Sequence, residues 1–490
     1  MKISLVKRAA RCVAVPLAAG SLLLAGDASA GAAFAGFKAN EIQAKHFDFE
    51  NQAGGLKCVP KGKLAELVGE PNKCYLELDK CQASVSALEG KLDAELLDML
   101  ADLVRVGEGE KVEFLAECPG DGPQFTHLLA IKGLGYAKAT QHLPLLLELV
   151  SEKRIEKAGA GVRSAVAEAL WWMGDKEQAV PALARLIAFD TRNDDHKPTA
   201  LQALGRWKSD ASVEWCKGAL SAKHNDDILK SCITYLGTVG AKDSASTLVR
   251  HLEKYPDEVV RALGLMGDAA QVKTLEKYLD DKDGQPWKRM PALVALVNLG
   301  QAKHWAEMEL YLQGQKPLSK KEQEKLAEKQ NKEKAKKGKK KPAKAEKPKK
   351  PDFKLIQQAA MEAVLVKDAK LAAKVDKALA AAAKLGDDKD WQAKVYATAA
   401  LGQRGDAKAA AALAEMLESP AEKVRLTVLD TIGGRDEVVG SNWMNRGIGV
   451  VASKELLPAV VKFYSAEGKQ EYKTKALRAM VSIRAMAEVK

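Results

Sequence analysis

After residue 30 no run of apolar residues approaches the roughly 20 that a membrane-spanning helix needs, so the mature chain is expected to carry no transmembrane segment. A glycine-rich phosphate loop, a G-x-S-x-G nucleophile turn and an H-E-x-x-H metal helix are also missing. With those absences the common catalytic classes fall away, and the chain reads as a non-enzyme with no cofactor and no metal. Zinc spacing is lacking as well, because Cys74 and Cys81 stand as C-x6-C, whereas zinc sites place roughly two to four residues between paired cysteines. The acidic hexad Asp190 to Asp195 (DTRNDD) has neither the sixth-position glycine nor the distal glutamate of a calcium loop and reads as a solvated turn.

What is present begins with Lys2, Lys7, Arg8 and Arg11, followed by the apolar run VAVPLAAGSLLLAG and the small-residue site Ala28-Ser29-Ala30. This is the pattern of a secretory signal peptide over residues 1–30, so the mature chain is expected in the periplasm or secreted, after cleavage near Ala30. Asp27 follows LLLAG where a lipid anchor would need cysteine. Six cysteines remain after cleavage, and in an oxidising compartment disulfides are the default. Cys216 lies near the end of one expected helix and Cys232 a similar distance into the next, which sets them level in an antiparallel hairpin. Cys58, Cys74, Cys81 and Cys118 are expected to bridge among themselves within residues 31–124, a turn-rich region that reads as an N-terminal cap.

The formal charge of +12 is not spread over the body. Between Lys316 and Pro351 there are 16 Lys and 5 Glu, so one tract accounts for nearly all of it. Residues 316–352 are too poor in apolar side chains to offset the entropy of ordering and are expected to be disordered. With no aromatic residue for base stacking, the tract is not a sequence-specific nucleic-acid binder. Its densest part, Lys336, Lys337, Lys339, Lys340 and Lys341, is the candidate for contact with a polyanion: anionic lipid, lipopolysaccharide or acidic polysaccharide.

The organising feature is a recurring phrase. ALWWMGD at 169–175 returns as ALGLMGD at 262–268 and ALGQRGD at 400–406, with looser copies GLGYAK at 133–138, ALGRWKS at 203–209 and YLGTVG at 235–240. Each follows one apolar helical run and precedes another, so it reads as an elbow: Ala-Leu ends a helix, Gly reverses the chain through positive φ, and Asp opens the next helix. Nine helix pairs follow, over 125–315 and 353–490, with a last helix closing the end. No pair alone buries enough apolar surface, so neighbours must stack into an array.

VRSAVAEALWWMGD-KEQAVPALARL and VVRALGLMGD-AAQVKTLEKYL resemble HEAT repeats, in particular the short HEAT-like repeat of the phycobilin-lyase type. The resemblance covers roughly residues 125–485 and implies an all-α fold: a HEAT-like α-solenoid, an α-α superhelix, with the cysteine-containing region 31–124 as its N-terminal cap. It also implies binding of a protein or peptide partner along a concave helix face. Iron-dependent hydroxylases of the same repeat class hold two irons through His-Glu dipeptides. None of the seven histidines here precedes a glutamate, which argues against that chemistry.

Partner contacts are expected from exposed aromatics. Trp171 occupies the column filled by glycine in other copies, and Trp172 the column of Arg206, Thr238, Leu265 and Gln403. Trp172 is therefore the candidate exposed ring. An insertion in the ninth repeat, RDEVVGSNWMNRGIGVVAS, offers Trp443 and Arg446 as further candidates. Trp287 and Trp391, at matching starts of first helices, are expected in the core. The alternative functions are a tether on anionic cell-envelope surfaces through the lysine tract, or an enzyme with an unrecognised site.

Overall fold

Helices start and stop here where the recurring phrase dictates. Asp175, Asp268 and Asp406 each stand at a helix N-cap and accept a backbone N–H with their carboxylates, as Gln178 N to Asp175 at 3.2 Å and Lys408 N to Asp406 at 2.8 Å. Just before them Gly174, Gly267 and Gly405 take φ of +78°, +67° and +99°, left-handed conformations that glycine adopts without a Cβ penalty. Lys138 and Lys208 fill the same elbow position with φ of +54° and +52°.

A computed structural model describes residues 45, 47–52, 55–62, 94–107, 122–189, 196–319, 324, 325, 328, 351–385, 391–433, 451, 453–469 and seven positions between 472 and 483. It begins with an antiparallel hairpin, β1 (Phe47–Gln52) and β2 (Gly55–Pro60), with Phe49 opposite Cys58. This hairpin is the one departure from an all-helical chain among the described residues. Helix α1 (Ala94–Gly107) follows, and its Leu100, Leu103 and Val104 are buried in the same core as the first repeat. They cover the apolar flank that an array end would otherwise expose.

Among the described residues nine helical hairpins then succeed one another. The first four are α2 (Gly122–Tyr136) with α3 (Leu143–Leu149), α4 (Ala160–Met173) with α5 (Lys176–Ala188), α6 (His196–Arg206) with α7 (Val213–Ser221), and α8 (Asp226–Val239) with α9 (Ala245–Arg250). The next two are α10 (Pro256–Met266) with α11 (Val272–Asp281) and α12 (Pro286–Asn298) with α13 (Trp305–Leu312). Beyond the lysine tract come α14 (Phe353–Ala363) with α15 (Ala372–Ala382), α16 (Trp391–Gln403) with α17 (Ala407–Met416), and α18 (Glu422–Gly433) with α19 (Leu457–Ala466). The chain is a HEAT-like α-solenoid.

Consecutive first helices pack directly on one another along the whole array, whereas second helices pack mainly on first helices. The first row is thus the closely spaced, concave one, and small residues allow that spacing. A Cβ on Gly264 of α10 would sit 2.5 Å from the Cα of Ala295 in α12, and one on Gly237 of α8 would sit 2.5 Å from the Cα of Ala262 in α10. The phrase A-L-G-x-x-G-D therefore holds two glycines with different work, which revises the single elbow role read from the sequence. The first is helical and lets backbones approach; the second reverses the chain.

The row curls far enough for distant repeats to meet. Tyr136, at the end of α2, is buried in a core otherwise built from residues 395–483, and Ala137 and Trp172 pack against it. Across the lysine tract the array is continuous: α12 and α13 both pack on α14. Arg261 of α10 donates Nε to Glu362 of α14 at 3.1 Å and its Nη2 to the other carboxylate oxygen. Asn298 donates to Leu365 O at 3.0 Å and accepts from Lys367 N at 2.8 Å. Asp352 N donates to Gly314 O at 2.9 Å, so the tract leaves and rejoins the fold at one place. Removing residues 320–349 and joining the ends with a short Gly/Ser linker is expected to change unfolding free energy by less than about 1 kcal/mol, because loop closure depends weakly on length. Urea denaturation of the shortened chain checks this.

Cys216 in α7 and Cys232 in α8 form a disulfide, with Cα atoms 5.2 Å apart and both side chains fully buried. The pairing argued from helix positions is correct, and the bond lies within the repeats. Its loop spans 16 residues, and closing a loop of that size stabilises by about 3 kcal/mol in the chain-entropy account. Reduction, or a Cys216→Ala/Cys232→Ala variant, is expected to lower the urea midpoint correspondingly. Cys58 lies on β2, while Cys74, Cys81 and Cys118 lie outside the described residues.

Candidate functional site

Two columns of residues run across the concave row, set by the repeat and therefore aligned from helix to helix. The elbow column holds Tyr136, Trp172, Arg206, Thr238, Leu265 and Asn298, and all but Tyr136 are half-buried. One helical turn earlier stands a second column of Lys132, Glu168, Gln202, Thr234 and Arg261. It is polar through five successive first helices, and Gln202 and Thr234 are each only 7% exposed. Polar groups so enclosed need hydrogen-bond partners, and part of that need is met inside the row. Lys132 pairs with Glu168 at 2.9 Å, and Arg261 engages Glu362.

The electrostatics of the concavity follow from its enclosure. Arg206 keeps a half-exposed surface, yet removal from bulk water pulls its guanidinium well below its ordinary value. The guanidinium carbon stands 5.1 Å over the ring of Trp171, a cation–π geometry. Burial also lowers the Lys367 ammonium, and the neighbouring charge of Lys208 lowers it further, which places the elbow of the third repeat near that of the seventh. Burial by itself would lower Arg261, but the charge and hydrogen bonds of Glu362 outweigh it and hold the guanidinium above its ordinary value.

The residues expected to meet a partner are placed differently from the expectation. Trp172 is half-buried and stacks on Tyr136 with centroids 4.0 Å apart, so the ring read as free is part of the seal between the first repeats and the last. Trp287, expected in the core, is 58% exposed, because in the first turn of α12 the buried face is carried by Pro286 and Met290, and Trp287 stands beside that face with Lys288. Trp391 packs against the C-terminal core while half-buried. Trp443, Arg446, the hexad Asp190–Asp195 and Lys336, Lys337, Lys339, Lys340 and Lys341 all lie outside the described residues. Among the described residues no group of three His, Cys, Asp or Glu side chains is arranged to hold a metal ion, and no helix is long and apolar enough to cross a membrane.

The polar column was missed in the sequence, although its signal was there. Counting back four residues from the first five members of the elbow column returns Lys132, Glu168, Gln202, Thr234 and Arg261 in sequence order, whereas Asn298 returns the buried Val294.

Residues 186–262, from the end of α5 through most of α10, match the family of HEAT repeats. No curated protein matches the chain.

Proposed function

We propose that this HEAT-repeat α-solenoid is an exported scaffold that binds an extended polypeptide along its concave row and performs no chemistry on it. HEAT repeats serve as protein-interaction surfaces, and the observation that supports the reading here is the polar column through Gln202 and Thr234. Amide, hydroxyl and charged groups recurring at one per first helix over five repeats offer successive polar contacts to an extended chain laid across the row. Their enclosure strengthens each bond relative to open water. Partner crosslinking tests the reading: a photoreactive amino acid placed at Gln202 in intact cells should capture a discrete protein, while the same group at outward-facing Gln178 should not. Equal capture from both positions would defeat it. Stoichiometric iron or zinc in the purified chain would instead favour an enzyme.

A second reading, a tether on anionic envelope surfaces, is favoured by one observation. The lysine tract leaves and rejoins the fold at the Gly314–Asp352 bond, so its charge can be offered to a surface without disturbing the array.

A further inference from the structure

Three large apolar side chains are exposed among the described residues, and they share one edge of the array. Trp287 is 58% exposed, Leu318 48% and Leu385 40%. Trp287 lies in the first turn of α12, Leu318 follows α13, and Leu385 follows α15. Each thus marks the passage from one repeat to the next, in three consecutive repeats, on the edge opposite the elbows. The first two passages touch, since a Cβ on Gly284 would lie 3.8 Å from the Cβ of Ser319. Exposure is not the rule for this edge. Earlier passages keep their apolar residues covered, with Ile155 at 5% and Tyr255 at 3%.

Charge accompanies the exposed residues. Lys288, Lys316 and Lys384 are exposed beside Trp287, Leu318 and Leu385 respectively, in company with exposed Asp281 near the first and Asp387, Asp388 and Asp390 following the last in the sequence. The tract of 16 Lys and 5 Glu is inserted at the middle passage of the three. An apolar row with a strongly basic tract inserted at its middle passage suits the boundary of an anionic bilayer, where indole and leucine side chains enter between headgroups and ammonium groups meet lipid phosphates. Stable seating on a membrane generally takes two signals together, apolar insertion and basic charge, and this edge supplies both.

We propose that the edge bearing Trp287, Leu318 and Leu385 is an interfacial anchor that seats the solenoid on anionic lipid. The proposal rests on the tether reading for its source of long-range attraction and adds the contact that persists at the surface.

The test uses the chain from residue 31 and vesicles of phosphatidylglycerol mixed with phosphatidylcholine, compared with phosphatidylcholine alone. The parent should float with the anionic vesicles and retain part of that binding in high salt. A Trp287→Ser/Leu318→Ser/Leu385→Ser variant should lose roughly tenfold in partitioning and all salt-resistant binding. Its unfolding midpoint should stay unchanged, since none of the three is buried. Brominated lipid should quench part of the tryptophan fluorescence of the parent, and Trp287→Phe, which keeps an apolar ring, should bind without that quenching. If the triple variant binds as the parent does while loss of residues 320–349 abolishes binding, the tether reading stands and the anchor is refuted. If the parent ignores the vesicles and the triple variant abolishes self-association instead, the edge joins copies of this chain and the anchor is refuted.

Discussion

Replacing Glu362 by alanine is expected to cost about 3–5 kcal/mol, because it leaves the Arg261 guanidinium enclosed without its counter-ion. The side chains of the pair are 12% and 8% exposed and joined by two hydrogen bonds, so solvent cannot take over the lost charge. The pair joins the fifth repeat to the seventh, across the point where the lysine tract is inserted. Its loss should therefore loosen the C-terminal repeats as a block. A Glu362→Leu/Arg261→Met variant should recover most of the stability, since apolar replacement of both partners removes the desolvation burden along with the attraction. Urea denaturation of the two variants checks the sign. Equal losses in both would mean that packing, rather than the uncompensated charge, dominates at this junction.

Gly264→Ala should reverse the usual effect of that substitution in a helix. Alanine is ordinarily favoured over glycine in a helix by about 1 kcal/mol. Here the new methyl would stand 2.5 Å from the Cα of Ala295 and 2.6 Å from its Cβ, so α10 and α12 must separate. The expected result is a net loss of about 2 kcal/mol, rising beyond about 3 kcal/mol for Gly264→Val. Gly218 in α7 provides the opposite case: it is exposed and a Cβ there meets nothing within 4 Å. Gly218→Ala should stabilise by up to about 1 kcal/mol. Thermal unfolding of the two alanine variants should move in opposite directions, and parallel shifts would show that helix propensity alone governs both.

The repeat phrase made the helical hairpins legible, since capping and chain reversal are local chemistry. Asp175, Asp268 and Asp406 could be assigned from their neighbours alone. The Cys216–Cys232 bond was legible for the same reason, being fixed by position along two adjacent helices. Burial was harder to read wherever it depends on curvature. Trp172 looked free because its column tolerates polar residues, but the curl of the row brings Tyr136 and the C-terminal core to it. Trp287 looked covered because its place in the repeat matches that of Trp391, yet only the latter gains a core to pack against. Arg261 and Glu362 are 101 residues apart, and no local pattern announces that they meet.

The burial of Tyr136 among residues of the last repeats alters how this molecule should respond to force. A linear row of repeats peels from its free end, one unit at a time, with each loss felt only by its neighbour. Here the final units also hold the opening one, as in a fastened hoop. Pulling on the C-terminus must first undo that clasp, after which the row can lengthen like an ordinary spring.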